Sequence, residues 1–168
     1  AAIMVAKYLG LSAEKIKEGL EKFQGTKRRF EKIIRINEID LYDDYAHHPL
    51  EIRNTLTAAK DWLGGRRIIA IFQPHTYSRT KYLLHDFAKS FRLADQVIIS
   101  KIYASAREKE DLGISGEILT KEISKNHKRA IYLADCQAVC NFLRDQLKKD
   151  DVIFTLGAGD IFLWHDKI

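Results

Sequence analysis

The chain has 168 residues, of which 46% are hydrophobic and 30% charged, which is typical of one globular domain and excludes a mostly disordered chain. No apolar run approaches the roughly 20 residues of a membrane helix, and no secretory signal opens the chain, so we expect a cytosolic protein with no membrane partner. A net charge of +5 suits an anionic ligand such as a nucleotide, but without an aromatic-interleaved basic stripe no nucleic-acid partner is predicted.

Residues 1–25 predict a short helical segment. Ala1 to Leu9 is apolar and helical in pattern from its first residue, and Gly10 supplies a stop signal. Ser12 is positioned to cap a second helix, which Gly25 is predicted to end. Because a natural chain seldom begins inside a buried helix, we expect this sequence to be part of a longer protein.

After residue 30 the pattern changes to strands that alternate with helices. Two extended stretches, 32–36 and 39–42, are joined by a predicted turn at Asn37-Glu38. Apolar runs predict four further strands at 67–72, 96–100, 130–133 and 151–156. Helices are predicted to begin at Pro49, Thr80, Ser115 and Asp135, and a short one follows residue 160.

Strands that are apolar on consecutive residues are buried on both faces, so helices must cover both. The predicted fold is α/β, a Rossmann-like, mostly parallel sheet with helices on both faces, preceded by the short helical segment. Cys136 and Cys140 lie on one predicted helix and are interpreted as core residues, not as a disulfide or a zinc site.

Polar loops follow four of the predicted strands, at 43–49, 73–79, 101–108 and 157–160. In parallel sheets the carboxyl ends of the strands meet at one edge, where ligands bind. Each loop also has a simpler interpretation, with Asp44 in a turn, His48 as a helix cap and Arg28-Arg29 as a solvated pair. Adjacent histidines rarely point at one ion, so no metal site is predicted in this chain.

Four segments together resemble successive motifs of the Mur ligase family. They are Phe23-Gln24-Gly25-Thr26-Lys27-Arg28-Arg29-Phe30-Glu31, Asp43-Asp44-Tyr45-Ala46-His47-His48-Pro49, Phe72-Gln73-Pro74-His75-Thr76-Tyr77-Ser78-Arg79-Thr80 and Gly157-Ala158-Gly159-Asp160. The resemblance covers essentially the whole chain. It implies that residues 1–25 are the helical tail of a central ATPase domain and that residues 26–168 form the C-terminal Rossmann-like ligase domain.

Within that family, the motifs look like those of enzymes that join L-alanine to the lactyl carboxylate of UDP-N-acetylmuramate for peptidoglycan synthesis. The resemblance implies that ATP first converts this carboxylate to an acyl phosphate, which the alanine amine then attacks. It implies ATP and Mg²⁺ as cofactors, bound mainly by the central domain. This sequence contains no Gly-x-x-x-x-Gly-Lys-Ser/Thr phosphate loop, so the chain alone is expected to be inactive.

The resemblance also assigns roles to individual residues. Arg29 is similar to the arginine that reaches the ATP phosphates, with Arg28 as a weaker candidate. Asp44 matches the aspartate on the nucleotide ribose, and Tyr45 matches the residue beside the adenine. The groups at the carboxylate and alanine end are His47, His75 and Arg79. Catalytic roles are expected for Arg29, His47 and Arg79.

The sequence leaves two alternative functions open. A sister ligase that recycles murein peptides onto the same nucleotide sugar shares the Asp-Asp-x-Ala-His-His-Pro motif but differs in the second loop. A non-catalytic Rossmann-like binding module is the other alternative, and an upstream phosphate-loop domain would argue against it. Many relatives carry an arginine where this chain has Thr76, which leaves Arg79 as the main cation of that loop. Arg79 could instead pair with Asp86.

Overall fold

The computed structural model describes residues 1–108 and 110–168. Its centre is a six-stranded sheet in the order β1-β2-β6-β3-β4-β5. The strands are β1 Glu31–Ile36, β2 Ile39–Asp44, β3 Ile68–Phe72, β4 Gln96–Ile99, β5 Ala130–Tyr132 and β6 Val152–Leu156. Only the β1–β2 hairpin is antiparallel among these strands, and the other neighbouring pairs are parallel. The predicted mostly parallel α/β fold is confirmed.

Seven α-helices and one 3-10 helix lie in the described part of the chain. They are α1 Ala2–Tyr8, α2 Ala13–Glu21, α3 Pro49–Leu63, α4 Tyr77–Tyr82, α5 Leu84–Ala88, α6 Gly116–Ser124, α7 Cys136–Gln146 and the 3-10 helix Ile161–Trp164. None of the described helices is long and apolar enough to cross a membrane. Neither α1 nor α2 contains a buried residue.

Local signals explain most helix boundaries. Ser12, Ser115 and Asp135 each accept a hydrogen bond from the backbone N–H three residues later, as predicted. His48 caps α3 in a capping box, so the simpler interpretation of this histidine is confirmed. Gly64 ends α3 with φ +58°, in the left-handed region where glycine is favoured.

The predicted start of a helix at Thr80 is wrong. α4 begins at Tyr77, and Thr80 is buried inside it. The reason is a long-range cap: the Glu108 carboxylate accepts the backbone N–H groups of Tyr77 and Ser78 at 2.9 and 2.8 Å. Arg79 consequently lies in the first turn of a helix, and not at the end of a loop.

The core has two layers, one on each face of the sheet. Alternate residues of β3 point to opposite faces, so Ile68 and Phe72 belong to one layer and Ile69 and Ile71 to the other. Side chains of α3, α5 and α6 cover the first face, and α7 with the 3-10 helix covers the second. Cys136 and Cys140 are half-buried free thiols on α7, at the margin of this second layer and not inside it.

β6 lies between β2 and β3, and the register of these three strands aligns their carboxyl ends. Leu156 is in register with Asp44 on one side and with Phe72 on the other. The three central strands therefore end at the same level. The loops that follow them, which begin at Tyr45, Gln73 and Gly157, emerge side by side.

Candidate functional site

The side chain of Arg28 is engaged inside the protein. Its Nε donates to the Asp43 carboxylate at 2.9 Å. Its Nη2 and Nη1 donate to the carbonyl oxygens of Gly157 and Gly159 at 2.5 and 3.3 Å. A guanidinium that is engaged at all three nitrogens has little donor capacity left for a ligand.

The neighbouring Arg29 is exposed. The residues on either side of it, Arg28 and Phe30, have φ values of +57° and +48°, in the left-handed region that side chains disfavour. Two hydrogen bonds hold this turn: Tyr45 N donates to the Arg28 carbonyl, and Phe30 N donates to Asp44 Oδ2, both at 2.8 Å. Strained backbone of this kind costs about 1–3 kcal/mol per residue and is concentrated at functional sites.

Asp44 supports this turn from the end of β2. It is only 6% exposed, and its two oxygens accept the backbone N–H groups of Phe30 and Ala46, both at 2.8 Å. Burial raises the pKa of this carboxyl above its ordinary value, against the effect of these hydrogen bonds. Each oxygen keeps a second lone pair that could accept a ribose hydroxyl. The contact of Asp44 with a ribose stays a prediction.

Asp43 is the buried counter-charge of Arg28. It is fully buried, and besides Arg28 its carboxylate accepts the Thr155 hydroxyl at 2.7 Å. Burial acts to raise the pKa of Asp43, but hydrogen bonds from His165, Thr155 and Arg28 outweigh it and lower the pKa. The carboxylate is therefore ionised at neutral pH and paired with the guanidinium.

Aromatic and imidazole rings continue the site from the first polar loop to the second. The Tyr45 ring lies 5.2 Å from the His47 ring, which lies 6.4 Å from the His75 ring, centroid to centroid. His75 stacks on Tyr103 at 5.7 Å. His47 Nδ1 lies 2.9 Å from the Tyr45 carbonyl oxygen, which can only accept, so Nδ1 is the donor in this bond.

Arg79 and His75, which are both predicted at the alanine end of the site, contact each other. Arg79 Nη1 donates to the His75 carbonyl oxygen and lies 3.4 Å from His75 Nδ1. Partial burial, then the positive charge of Arg79, lowers the pKa of His75 below its ordinary value, so this imidazole is neutral at pH 7. Among the described residues the Arg79 guanidinium is bonded to the His75 carbonyl and forms no salt bridge with Asp86, which speaks against the alternative pairing.

The glycine loop after β6 is packed closely against Gln73. Gln73 Nε2 donates to Asp160 at 2.7 Å, and Gln73 Oε1 accepts the Ile161 N–H at 3.1 Å. A β-carbon at Gly159 would lie under 3 Å from the side chains of Gln73 and Tyr103. Glycine is required here because the loop passes directly over two side chains.

The described residues do not offer a site for Mg²⁺. Within 1–108 and 110–168, no group of three or more His, Cys, Asp or Glu side chains is placed to hold a metal ion. The carboxylates of Asp43 and Asp44 are both bound to protein donors. Mg²⁺ is usually held by one or two exposed carboxylates together with waters and phosphates, whereas Asp43 and Asp44 are buried.

The six predicted site residues form a continuous series of neighbours along the carboxyl edge of the sheet. The Arg29 guanidinium lies 5.4 Å from the Tyr45 ring, and the series continues through the two histidines to Arg79. Asp44 is connected to this series because its carboxylate accepts the backbone N–H of Phe30, the residue after Arg29. Four contributors were not predicted from the sequence: Asp43, Gln73, Glu108 and His165. Asp43 and Gln73 stand within the quoted motifs and Glu108 ends the polar loop 101–108, but no local pattern indicates His165.

Comparison with known protein families identifies the family to which this chain belongs. Residues 28–159 match the family described as Mur ligase, glutamate ligase domain. The chain belongs to this family.

Two solved structures and one curated relative are similar along almost the whole chain. A UDP-N-acetylmuramate–L-alanine ligase of Caldanaerobacter subterraneus is 47% identical over 96% of this chain and 35% of the relative. The crystal structure of the UDP-N-acetylmuramate-alanine ligase of Thermotoga maritima matches with a TM-score of 0.81 and 29% identity, over 98% of this chain and 34% of that one. A murein peptide ligase of Psychrobacter arcticus matches with a TM-score of 0.70 and 26% identity, over 99% and 34%. The chain thus spans about a third of the length of the curated relatives that it matches.

Proposed function

We propose that this chain is the C-terminal ligase domain of an ATP-dependent enzyme that joins L-alanine to UDP-N-acetylmuramate in peptidoglycan precursor synthesis in the cytosol. The observation that carries the proposal is the continuous series from Arg29 to Arg79 at the carboxyl edge of the sheet. It offers an exposed cation at one end and a guanidinium–imidazole pair at the other. The reaction needs both, since ATP carries phosphates and L-alanine carries a carboxylate.

Arg29 is proposed as the cation that meets the ATP phosphates. Phosphoryl transfer to a carboxylate concentrates negative charge, so a positive group held in place beforehand lowers the barrier. Arg29 meets this requirement because its backbone is fixed by Tyr45 and Asp44 while its side chain is exposed. Tyr45 is proposed to lie beside the adenine and Asp44 to reach the ribose.

The Arg79–His75 pair is proposed to bind the carboxylate of L-alanine, with His47 beside it. Alanine has almost no side chain, so its carboxylate is the main group by which a protein can recognise it. A guanidinium can bind a carboxylate with two parallel hydrogen bonds, which also orients the amine. A neutral His75 adds a donor without a second charge, which suits the lowered pKa of this residue.

ATP fits the cationic end of the site, whereas Mg²⁺ does not fit the described residues, as set out above. We infer that any Mg²⁺ is bound by other parts of the protein, consistent with the third of the relatives' length that this chain covers. When bound, Mg²⁺ would neutralise phosphate charge.

A substrate-choice assay tests the proposal against its nearest alternative, the murein-peptide ligase. The full-length protein is supplied with ATP, UDP-N-acetylmuramate and either L-alanine or the tripeptide L-alanyl-γ-D-glutamyl-meso-diaminopimelate, and phosphate release is followed. We expect kcat/KM to favour L-alanine by at least about a hundredfold, which corresponds to the loss of one well-placed charged contact. A preference for the tripeptide would replace the proposal with peptide recycling, and turnover with neither would favour a binding module.

A further inference from the structure

A histidine from the end of the chain reaches the floor of the site. The His165 side chain is 12% exposed, and its Nε2 lies 2.9 Å from Thr155 Oγ1 and 3.4 Å from Asp43 Oδ1. A hydroxyl has one hydrogen, which Thr155 donates to Asp43 at 2.7 Å, so Thr155 accepts from His165 Nε2–H. A directed pair of hydrogen bonds therefore runs from His165 through Thr155 to Asp43.

The segment that carries His165 is anchored independently of Asp43. Trp164 and Ile168 pack against the core layer beneath α7. Cys140 Sγ donates to the carbonyl oxygen of Lys167 at 3.1 Å. Because His165 stands between these anchored residues, its imidazole acts as a fixed donor.

The contacts of Arg28 connect Asp43, at the end of these two hydrogen bonds, to the surroundings of the exposed Arg29. Asp43 orients the Arg28 guanidinium, which lies 5.0 Å from the centroid of the Tyr45 ring. The Arg29 guanidinium lies 5.4 Å from the centroid of the same ring. The Tyr45 ring is thus shared by both arginines, and cations are attracted to the face of such a ring.

We propose that His165 is a positioning residue for Arg29. It holds Asp43, and through it Arg28 and Tyr45, in the arrangement that presents Arg29 to a phosphate group. The inference rests on the proposed function, in which Arg29 meets phosphate charge.

Variants of His165 in the full-length protein test this, with kcat, the KM for ATP and thermal unfolding as measurements. His165→Phe keeps a ring and removes both nitrogens, whereas His165→Gln keeps an N–H donor near the position of Nε2. We expect His165→Phe to lower kcat about fivefold, as for the loss of one hydrogen bond, and His165→Gln to stay within about twofold. His85→Phe, at an exposed position, is the matched control.

A double-mutant cycle with Arg29→Ala shows whether His165 acts through Arg29. In the Arg29→Ala background, His165→Phe should cause no further loss of kcat. Independent, multiplicative losses would overturn the inference, as would a His165→Phe protein that unfolds earlier but turns over normally. If Arg29→Ala alone leaves kcat unchanged, the proposed role of Arg29 is wrong, a failure that the cycle separates from a failure of His165 alone.

Discussion

At the scale of single residues, Arg28 and Arg29 are neighbours whose guanidinium groups have different surroundings. Arg28 donates to Asp43 and to two glycine carbonyls, whereas Arg29 is exposed above Tyr45. The sequence places both on one basic junction and does not separate them. Their surroundings differ where the backbone is left-handed at Arg28 and at Phe30, on both sides of Arg29.

Replacement of Arg29 by alanine should therefore lower the kcat of the full-length enzyme by about a hundredfold, because one preorganised cation opposite phosphoryl charge is worth about 3 kcal/mol. The KM for UDP-N-acetylmuramate should change little. Arg28→Ala is the matched comparison: it leaves Asp43 buried without its partner, so we expect a lower unfolding temperature and a loss of kcat that is smaller than that of Arg29→Ala. Near-normal turnover of Arg29→Ala beside an inactive but stable Arg28→Ala would mean that the wrong arginine was chosen.

Arg79→Lys should raise the KM for L-alanine by more than about tenfold, because lysine keeps the charge but loses the two-pronged geometry. The KM for ATP should stay nearly unchanged. Steady-state kinetics with each substrate varied in turn provide the measurement. Normal alanine dependence together with a lowered unfolding temperature would show that Arg79 only holds the backbone at His75.

At the scale of elements, α4 depends on a cap that is distant in sequence. Burial acts to raise the pKa of Glu108, but hydrogen bonds from Ser78 and Tyr77 lower it from 4.5 to about 2. A depressed folded pKa means that the carboxylate stabilises the fold above the unfolded pKa, and that this contribution is lost as the pH falls through 2.

Glu108→Gln should consequently reduce the free energy of unfolding by about 1 kcal/mol at pH 7, in the range for loss of a helix cap. The difference from the unmodified chain should shrink as the pH falls from about 4.5 towards 2. Urea unfolding at several pH values measures it, with the exposed Asp61→Asn as control. A difference that does not change with pH would show that the charge of Glu108 does not matter.

The glycine loop gives a second prediction for an element. Gly159→Ala should lower both stability and kcat, because the added carbon would collide with Gln73 and Tyr103. Gly19→Ala in α2 meets no atom within 4 Å and should stabilise by about 0.5–1 kcal/mol. Thermal unfolding of both variants decides the matter, and a Gly159→Ala protein as stable as the original would contradict the close packing described for this loop.

The sequence predicted those features that depend on residues near each other in the chain, and missed those that depend on distant residues. The α3 boundaries were predictable because Pro49, His48 and Gly64 act within a few residues. The start of α4 was not, because its cap comes from 30 residues further along the chain. In the site, motif residues such as His75 were predictable as neighbours of one edge. His165 was not, since only the packing of the tail brings it to Asp43.

At the scale of the whole molecule, the sheet order explains why residues far apart in sequence share one site. Because β6 lies between β2 and β3, Gly157 N donates to the Asp44 carbonyl and Gln73 N donates to the Leu156 carbonyl. The resulting edge carries cations and imidazoles, and its aspartates Asp43, Asp44 and Asp160 each accept a hydrogen bond from the protein. Within residues 1–108 and 110–168 this edge provides no carboxylate cluster for a metal. We propose that it forms one wall of an anion-binding site whose second wall comes from another part of the protein.

Phosphate release with ATP, UDP-N-acetylmuramate and L-alanine, compared between the full-length protein and the isolated 168-residue chain, tests this account most directly. We expect turnover from the full-length protein and none above background from the chain alone, although circular dichroism should show that the chain is folded. The reason is that the chain supplies Arg29, His75 and Arg79 but lacks a phosphate loop. Turnover by the isolated chain, or a full-length protein that is folded and inactive with all three substrates, would contradict the account.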